Sequence, residues 1–172
     1  MSDYIVHDRY ARRWISQSLE KGSRAIYILG MTLAPQDMVC FSLYSAVHAL
    51  QQAYRPHLEK LGLTYPQFLV MSALWAAEEP PTVGLLSRQL QLESSTLTPL
   101  LKRLEGMGLV SRRRDEKDER QVRISLTEQG AAMEARTAHI AGCISEQSGM
   151  SVDELLALRD QVSRLRDNLR GA

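Results

Sequence analysis

Only two cysteines, Cys40 and Cys143, occur in the 172 residues, too few for a disulfide scaffold. No run reaches the roughly 18 consecutive apolar residues that span a bilayer. The nearest match to a signal core, Ala25-Ile-Tyr-Ile-Leu29, follows mixed charges rather than a compact basic stretch. These absences lead us to expect a cytoplasmic protein with no membrane partner, whose thiols begin reduced. Glycine-rich phosphate loops and hydrolase serine elbows are also missing. The four histidines are scattered, and His139 with Cys143 supplies too few ligands for a dedicated metal site. No metal or cofactor is expected, and Cys40 remains the one candidate reactive centre.

A net charge of +1 argues against a generally adhesive polycation. Its distribution says more. Between Thr82 and Leu126 stand nine basic residues (Arg88, Lys102, Arg103, Arg112, Arg113, Arg114, Lys117, Arg120 and Arg123) and six acidic ones. That leaves a local surplus of three, while the rest of the chain sums to minus two. Positive charge is concentrated where phosphate neutralisation would need it.

That same stretch carries the most telling pattern. Leu97, Leu100, Leu101 and Leu104 recur at i, i+3, i+4 and i+7, one face of a helix. Ser94, Ser95, Thr98, Lys102 and Arg103 are left to point outward. Pro99 suits a start at Thr98, but Ser94 is the expected beginning. Thr82 should cap a short preceding helix through Leu90, with Leu85, Leu86 and Leu90 inward. After Gly106 and Gly108 come two strand-like runs, Leu109–Arg114 and Val122–Leu126, joined by a charged loop. Helix, helix, strand, loop and strand in that order describe a winged helix-turn-helix, whose outward helix face reads the major groove of double-stranded DNA.

Long amphipathic helices flank this head. Pro35-Gln-Asp37 should open the first, with Asp37 as N-cap. Val39, Leu43, Val47, Leu50, Tyr54, Leu58 and Leu61 form its stripe, Pro56 should kink it, and Gly62 should end it. Thr64-Tyr-Pro-Gln opens the next. Thr127 should begin a helix reaching about Ser148, and Ser151-Val-Asp-Glu154 is a capping box for the last. There Leu155, Leu158, Val162, Leu165 and Leu169 step as a narrow seam. Narrow seams at both ends imply a homodimer. Residues 1–30 fit none of this and read as an N-terminal extension without an assigned role; within it Arg9, Arg12, Arg13, Trp14 and Leu19 would make a short amphipathic helix.

At this point the chain resembles the MarR family of transcription regulators, and within it the sensors of organic hydroperoxides. The similarity runs over roughly residues 33–169. It is carried by Asp37-Met-Val-Cys40-Phe-Ser-Leu-Tyr44, Tyr54-Arg-Pro-His-Leu, Leu61-Gly-Leu-Thr-Tyr65-Pro-Gln-Phe, Ser95-Thr-Leu-Thr-Pro-Leu-Leu-Lys-Arg-Leu-Glu105, Asp118-Glu-Arg120 and Leu126-Thr-Glu-Gln-Gly130. The family's Asp-Ser-Gly-Thr at the recognition-helix start reads Glu93-Ser-Ser-Thr96 here.

The resemblance implies a mainly α fold with a small β-wing. Residues 31–172 would form the domain, 64–126 the winged helix-turn-helix, and 37–62 with 127–170 the dimerisation helices. It implies a repressor that leaves a pseudo-palindromic operator when organic hydroperoxide oxidises Cys40. Tyr54 and Tyr65 would donate hydrogen bonds to the Cys40 thiolate, with Tyr44 as a third candidate. Cys143 would be the resolving cysteine. Ser94, Ser95, Thr96, Thr98, Pro99, Lys102, Arg103, Arg114, Asp118 and Arg120 would meet DNA. Independently of any family, a cysteine in the first turn of a helix behind an Asp37 cap sits among unpaired N–H groups at the positive dipole end, which favours a thiolate. The bland alternative makes Cys40 a small core residue and the tyrosines core fillers. Two other functions remain open on sequence: release by a small aromatic ligand, and catalytic thiol peroxidase activity.

Overall fold

The computed structural model describes residues 34–115 and 118–171. The extension over residues 1–30, and Glu116 and Lys117 of the charged loop, lie outside the described residues. The described residues fall into two units that divide after Ala46.

In the first unit a 3-10 turn, Pro35–Asp37, precedes α1 (Val39–Glu59). The Asp37 amide donates to Ala34 O at 2.9 Å and the Met38 amide to Pro35 O at 3.0 Å. Met38 then returns to extended backbone, and its carbonyl accepts the first α-helical bond, from Ser42 N–H at 3.1 Å. The expected Asp37 cap is therefore corrected to Met38, because the short i→i+3 closure already uses Asp37. Cys40 becomes the second residue of α1. Val39, Phe41 and Tyr44 around it are exposed, Tyr44 to 62%.

The second unit is built around leucines. Residues 47–59 continue α1 through Pro56, and Leu58 is buried. Gly62 (φ 71°) closes the end: its amide donates to Glu59 O, and the Leu63 amide reaches back to Leu58 O, both at 3.0 Å. In α2 (Tyr65–Trp75), buried Gln67 accepts from the Thr64 amide at 2.8 Å and from its hydroxyl at 3.1 Å. Thr82 Oγ1 accepts the Leu85 amide and caps α3 (Val83–Leu90), which ends at Gln91 in the left-handed region. Leu86 is buried as expected, but Leu85 is 39% exposed. With only eight residues, α3 presents a single narrow inner face, and Leu85 falls outside it.

Helix α4 (Ser94–Gly106) starts at Ser94 as expected, and Leu97, Leu101 and Leu104 are fully buried. Pro99 is tolerated inside it because it deprives only the carbonyl of exposed Ser95 of a helical partner. The wing pairs β1 (Val110–Arg114) antiparallel with β2 (Val122–Leu126), Arg112 opposite Ile124. Helix α2 packs against α3, α4, β2 and α5 (Glu128–Thr137), so one apolar core underlies helix-turn-helix and wing together.

A single helix from Thr127 to Ser148 is not what forms. The chain makes α5 and then α6 (Ile140–Ser148), separated by Ala138 and His139. Both linking residues keep right-handed helical dihedrals, but the Thr137 hydroxyl donates to Glu134 O at 2.7 Å. Such back-bonding to the preceding turn competes with the helical ladder. Helix α7 (Val152–Arg170) begins at the expected capping box, where Ser151 N–H donates to Glu154 Oε2 at 2.8 Å. The same contact holds the Glu154 carboxyl below its usual range. No residue of α7 is buried; Leu158 and Val162 are exposed, and Leu169 is 79% exposed. At its far end Arg170 donates to Gln91 Oε1 at 2.9 Å, reaching the cap of α3.

The wing and α5 meet closely at their junction. The Thr127 hydroxyl donates to Gly108 O at 2.6 Å while accepting Gly130 N–H at 3.0 Å. A Cβ on Gly130 would lie 2.0 Å from Leu109 O, and the Trp75 indole N–H donates to Gly130 O at 2.9 Å. Alanine would normally favour a helix, but here it must push strand and helix apart. Gly130→Ala should therefore destabilise the domain by about 1–3 kcal/mol. Thermal melting checks this, at about 2–4 °C for each kcal/mol in a chain of this size; an unchanged midpoint would refute it.

Candidate nucleic-acid interface and thiol site

The buried leucines of α4 decide what its other face offers. With Leu97, Leu101 and Leu104 inward, Ser94, Ser95, Thr96, Pro99, Lys102 and Arg103 are exposed and Thr98 is half-buried. Ser95 Oγ donates to Glu93 Oε2 at 3.4 Å at the helix start. The structure thus gathers all seven on one amphipathic helix, as the leucine spacing requires.

The wing is organised by Asp115, whose side chain is only 6% exposed. It accepts the Asp118 amide at 2.9 Å and pairs with the Arg123 guanidinium. Arg123 also donates to Pro80 O at 2.8 Å, and Ile124 N–H donates to Pro81 O at 2.9 Å. The wing base is in this way fastened to the turn before α3. Removing Arg123 would leave the nearly buried Asp115 without its cation, at a cost below the about 3–5 kcal/mol of a fully buried pair because the Arg123 side chain is 40% exposed. Arg123, one of the nine basic residues of the head, is therefore a structural member. Arg113 and Arg114 on β1 are exposed.

At the wing tip Arg120 has a 91% exposed side chain, yet Asp118 holds it from two sides. Its Nε donates to Asp118 Oδ1 at 3.0 Å and its Nη2 to Oδ2 at 3.3 Å. Asp118 also accepts the Arg120 amide at 3.2 Å and Gln121 Nε2 at 3.1 Å. The Arg120 guanidinium first, then Gln121, holds the Asp118 carboxyl below its usual range. A planar fork pointing outward from a turn suits a narrow groove or a phosphate.

The thiol residues divide between the units. Cys40 and Tyr44 lie one turn apart on α1 in the first unit, Cys40 exposed. Tyr54 and Tyr65 meet in the second, their rings edge to face with centroids 5.2 Å apart. Tyr54 also contacts Phe68 at 5.7 Å, and Phe68 contacts Trp75 at 6.2 Å. Burial raises the Tyr54 hydroxyl above its ordinary pKa of 10.0, with Tyr65 adding to it; burial likewise raises Tyr65. Both therefore keep their protons, and can donate hydrogen bonds, throughout the neutral range. Cys143 is half-buried on α6, where its amide donates to His139 O at 3.1 Å. The His139 ring stands 5.8 Å from that of His57, a pairing that sequence spacing gave no hint of. Neither cysteine is in a disulfide, and among the described residues no three His, Cys, Asp or Glu side chains could hold a metal ion. Among the same residues no helix is long and apolar enough to cross a membrane.

The chain is similar to several known regulators. The family model described as Transcriptional regulator SarA/Rot matches residues 52–135. The organic hydroperoxide resistance transcriptional regulator of Bacillus subtilis is 42% identical over 134 residues, 78% of this chain and 90% of that one. The HTH-type transcriptional regulator TtmR of Methylorubrum extorquens is 45% identical over 138 residues, 78% of this chain and 70% of its own length. The crystal structure of AbfR from Staphylococcus epidermidis superposes with a TM-score of 0.68 at 37% identity, covering 80% of this chain and 94% of that one. AbfR has also been solved bound to DNA, both reduced (TM-score 0.64) and overoxidized (0.65), and with its disulfide formed (0.56). The chain belongs to the MarR family of winged-helix transcriptional regulators, DNA-binding proteins rather than enzymes.

Proposed function

We propose that the protein is a homodimeric repressor that releases a pseudo-palindromic operator when organic hydroperoxide oxidises Cys40. The observation that supports this reading is an exposed cysteine in the first turn of α1, in a chain 42% identical to a hydroperoxide-resistance regulator; in the second unit Tyr54 and Tyr65 keep their protons as hydrogen-bond donors. Operator binding with and without an organic hydroperoxide, under thiol control, tests it directly.

In this reading the Cys40 thiolate attacks the outer oxygen of the hydroperoxide. The O–O bond breaks, the organic half leaves as alkoxide and takes a proton to become an alcohol, and the sulfur becomes a sulfenic acid. Tyrosine hydroxyls, with Tyr54 and Tyr65 as first candidates and Tyr44 as third, hold the thiolate before attack. Cys143 then attacks the sulfenic sulfur, water leaves, and a disulfide forms. Sulfenic acid alone is a small perturbation, whereas a disulfide demands that two Cα atoms approach within about 7 Å. Helices carry that movement to the reading heads. AbfR, seen on DNA when reduced or overoxidized and separately with its disulfide formed, supports bridging as the decisive step.

On the DNA side, α4 would enter the major groove with Ser94, Ser95, Thr96, Thr98, Pro99, Lys102 and Arg103. Arg114 would contact the backbone, and Arg120, oriented by Asp118, would enter the minor groove. The apolar residues left bare on α7 and in the first half of α1 support burial in a dimer, with residues 37–62 and 127–170 as its helices and 64–126 as the head.

Three outcomes follow from this reading. Arg120→Ala should weaken operator binding by about 1–3 kcal/mol in a fluorescence titration, and unchanged affinity would remove Arg120 from the interface. Cys40→Ser should bind operator yet ignore peroxide, while Cys143→Ser should still react at Cys40 but release DNA less firmly. A Cys40→Ser protein that still lets go on peroxide treatment refutes the thiol switch. Truncation after Met150 should abolish the dimer in light scattering; a persisting dimer would move the interface to α1.

A further inference from the structure

A cleft of about 550 Å³ opens between the first turn of α3 and the wing, lined among others by Thr82, Gly84, Arg88, Arg112, Arg120 and Gln121. We propose that this cleft is a phosphate seat that grips a backbone phosphodiester of the operator, with Arg88 and Arg112 as its principal cations. The proposal rests on the DNA-binding reading above and adds two residues to it.

Three guanidinium groups border one small space. Arg88 carries no salt bridge among the described residues. Arg112 is held only loosely, its Nη1 at 3.9 Å from Glu105 Oε2, and its Nε atom is buried with no hydrogen-bond partner among the described residues. A buried donor without an acceptor is uncommon in a folded protein and asks for an occupant. A small turn of the guanidinium plane would present it to an oxygen in the cleft. Arg120 is engaged by Asp118, so it closes one side and takes less of the load.

The floor fits the same ligand. Val83 and Gly84 are the first two residues of α3, and amides at such positions have no partner within their helix. Gly84 lacks a Cβ to screen them; a Cβ built there would touch Arg88 Nη1 at 3.9 Å and Thr82 Oγ1 at 4.0 Å. Arg88 thus folds back over the start of its own helix, adding its charge to the dipole. Among the described residues no aromatic side chain lines the cleft to stack a base, so a bare phosphate suits it better than a nucleoside. The first helix of a helix-turn-helix crosses the backbone while the second reads bases, and α3 is that first helix.

The test compares wild type with Arg88→Gln, Arg112→Gln and the surface control Arg159→Gln, on operator and on scrambled duplex across a salt series. Arg88→Gln should reduce the slope of log affinity against log salt by about 1, weaken both duplexes equally, and leave thermal melting unchanged. One operator phosphate whose ethylation blocks wild-type binding should cease to matter for Arg88→Gln, which a general loss of folding would not produce. Arg112→Gln should act on the same phosphate, and Arg159→Gln on none. A wild-type slope in Arg88→Gln, or a loss confined to operator sequence, overturns the seat while leaving DNA binding intact. Competition by inorganic phosphate beyond that of chloride at equal ionic strength would assign the cleft to free phosphate and overturn the backbone assignment. A wild type that binds neither duplex overturns both readings.

Discussion

Burial of one leucine stripe on α4 governs most of what the second unit presents to its surroundings. Leu97, Leu101 and Leu104 have no solvent exposure, and each would cost about 2–5 kcal/mol to cut back to alanine. Their positions leave the helix no freedom to rotate about its axis, so the serines, threonines, Lys102 and Arg103 must face outward. The same core takes in Leu86 from α3, Ile124 from β2 and Met133 from α5. Orientation of the reading helix, seat of the wing and start of the next helix are settled by one packing event.

Charge in this head is of two kinds, and the distinction matters to its chemistry. Asp115, nearly buried, commits Arg123 to the fold by joining the wing to the turn at Pro80. Lys102, Arg103, Arg113 and Arg114 are exposed and available to a partner. A local surplus counted from residues alone therefore mixes a structural pair with the groups left exposed. MarR regulators bind DNA, and the surface suited to that task is the one left after such internal pairs are set aside.

Local rules made much of this legible in the sequence. The α4 leucines announced their helix by period, and Thr82, Thr127 and Ser151 announced their caps by chemistry. The departures share a physical reason: competition between neighbouring interactions that periodicity does not register. Asp37 is a good cap by type, yet the 3-10 closure after Ala34 uses it first. Thr137 reads as an acceptable helix residue until its hydroxyl bonds back to Glu134. Leu85 is apolar, but α3 is too short to bury it. Of the candidate thiol residues, Cys40 was legible from its place in the first turn of a helix and the tyrosines from resemblance, while the contact of Tyr54 with Tyr65 and the contact of His57 with His139 depend on folding distant segments together. The Asp115 to Arg123 to Pro80 chain spans more than forty residues, beyond any local pattern.

The double hold of Asp118 on Arg120 has an entropic consequence. A free arginine loses about 2 kcal/mol of rotamer freedom when it is fixed against a partner. Here the carboxylate already favours some of those rotamers, so part of the ordering precedes any ligand, discounted by the exposure of the pair to solvent. A side chain held in one pose also cannot adapt to a mismatched groove. In the proposed minor-groove role of Arg120, selectivity at the wing tip would rest on the width and depth of the groove, with Asp118 as the gauge.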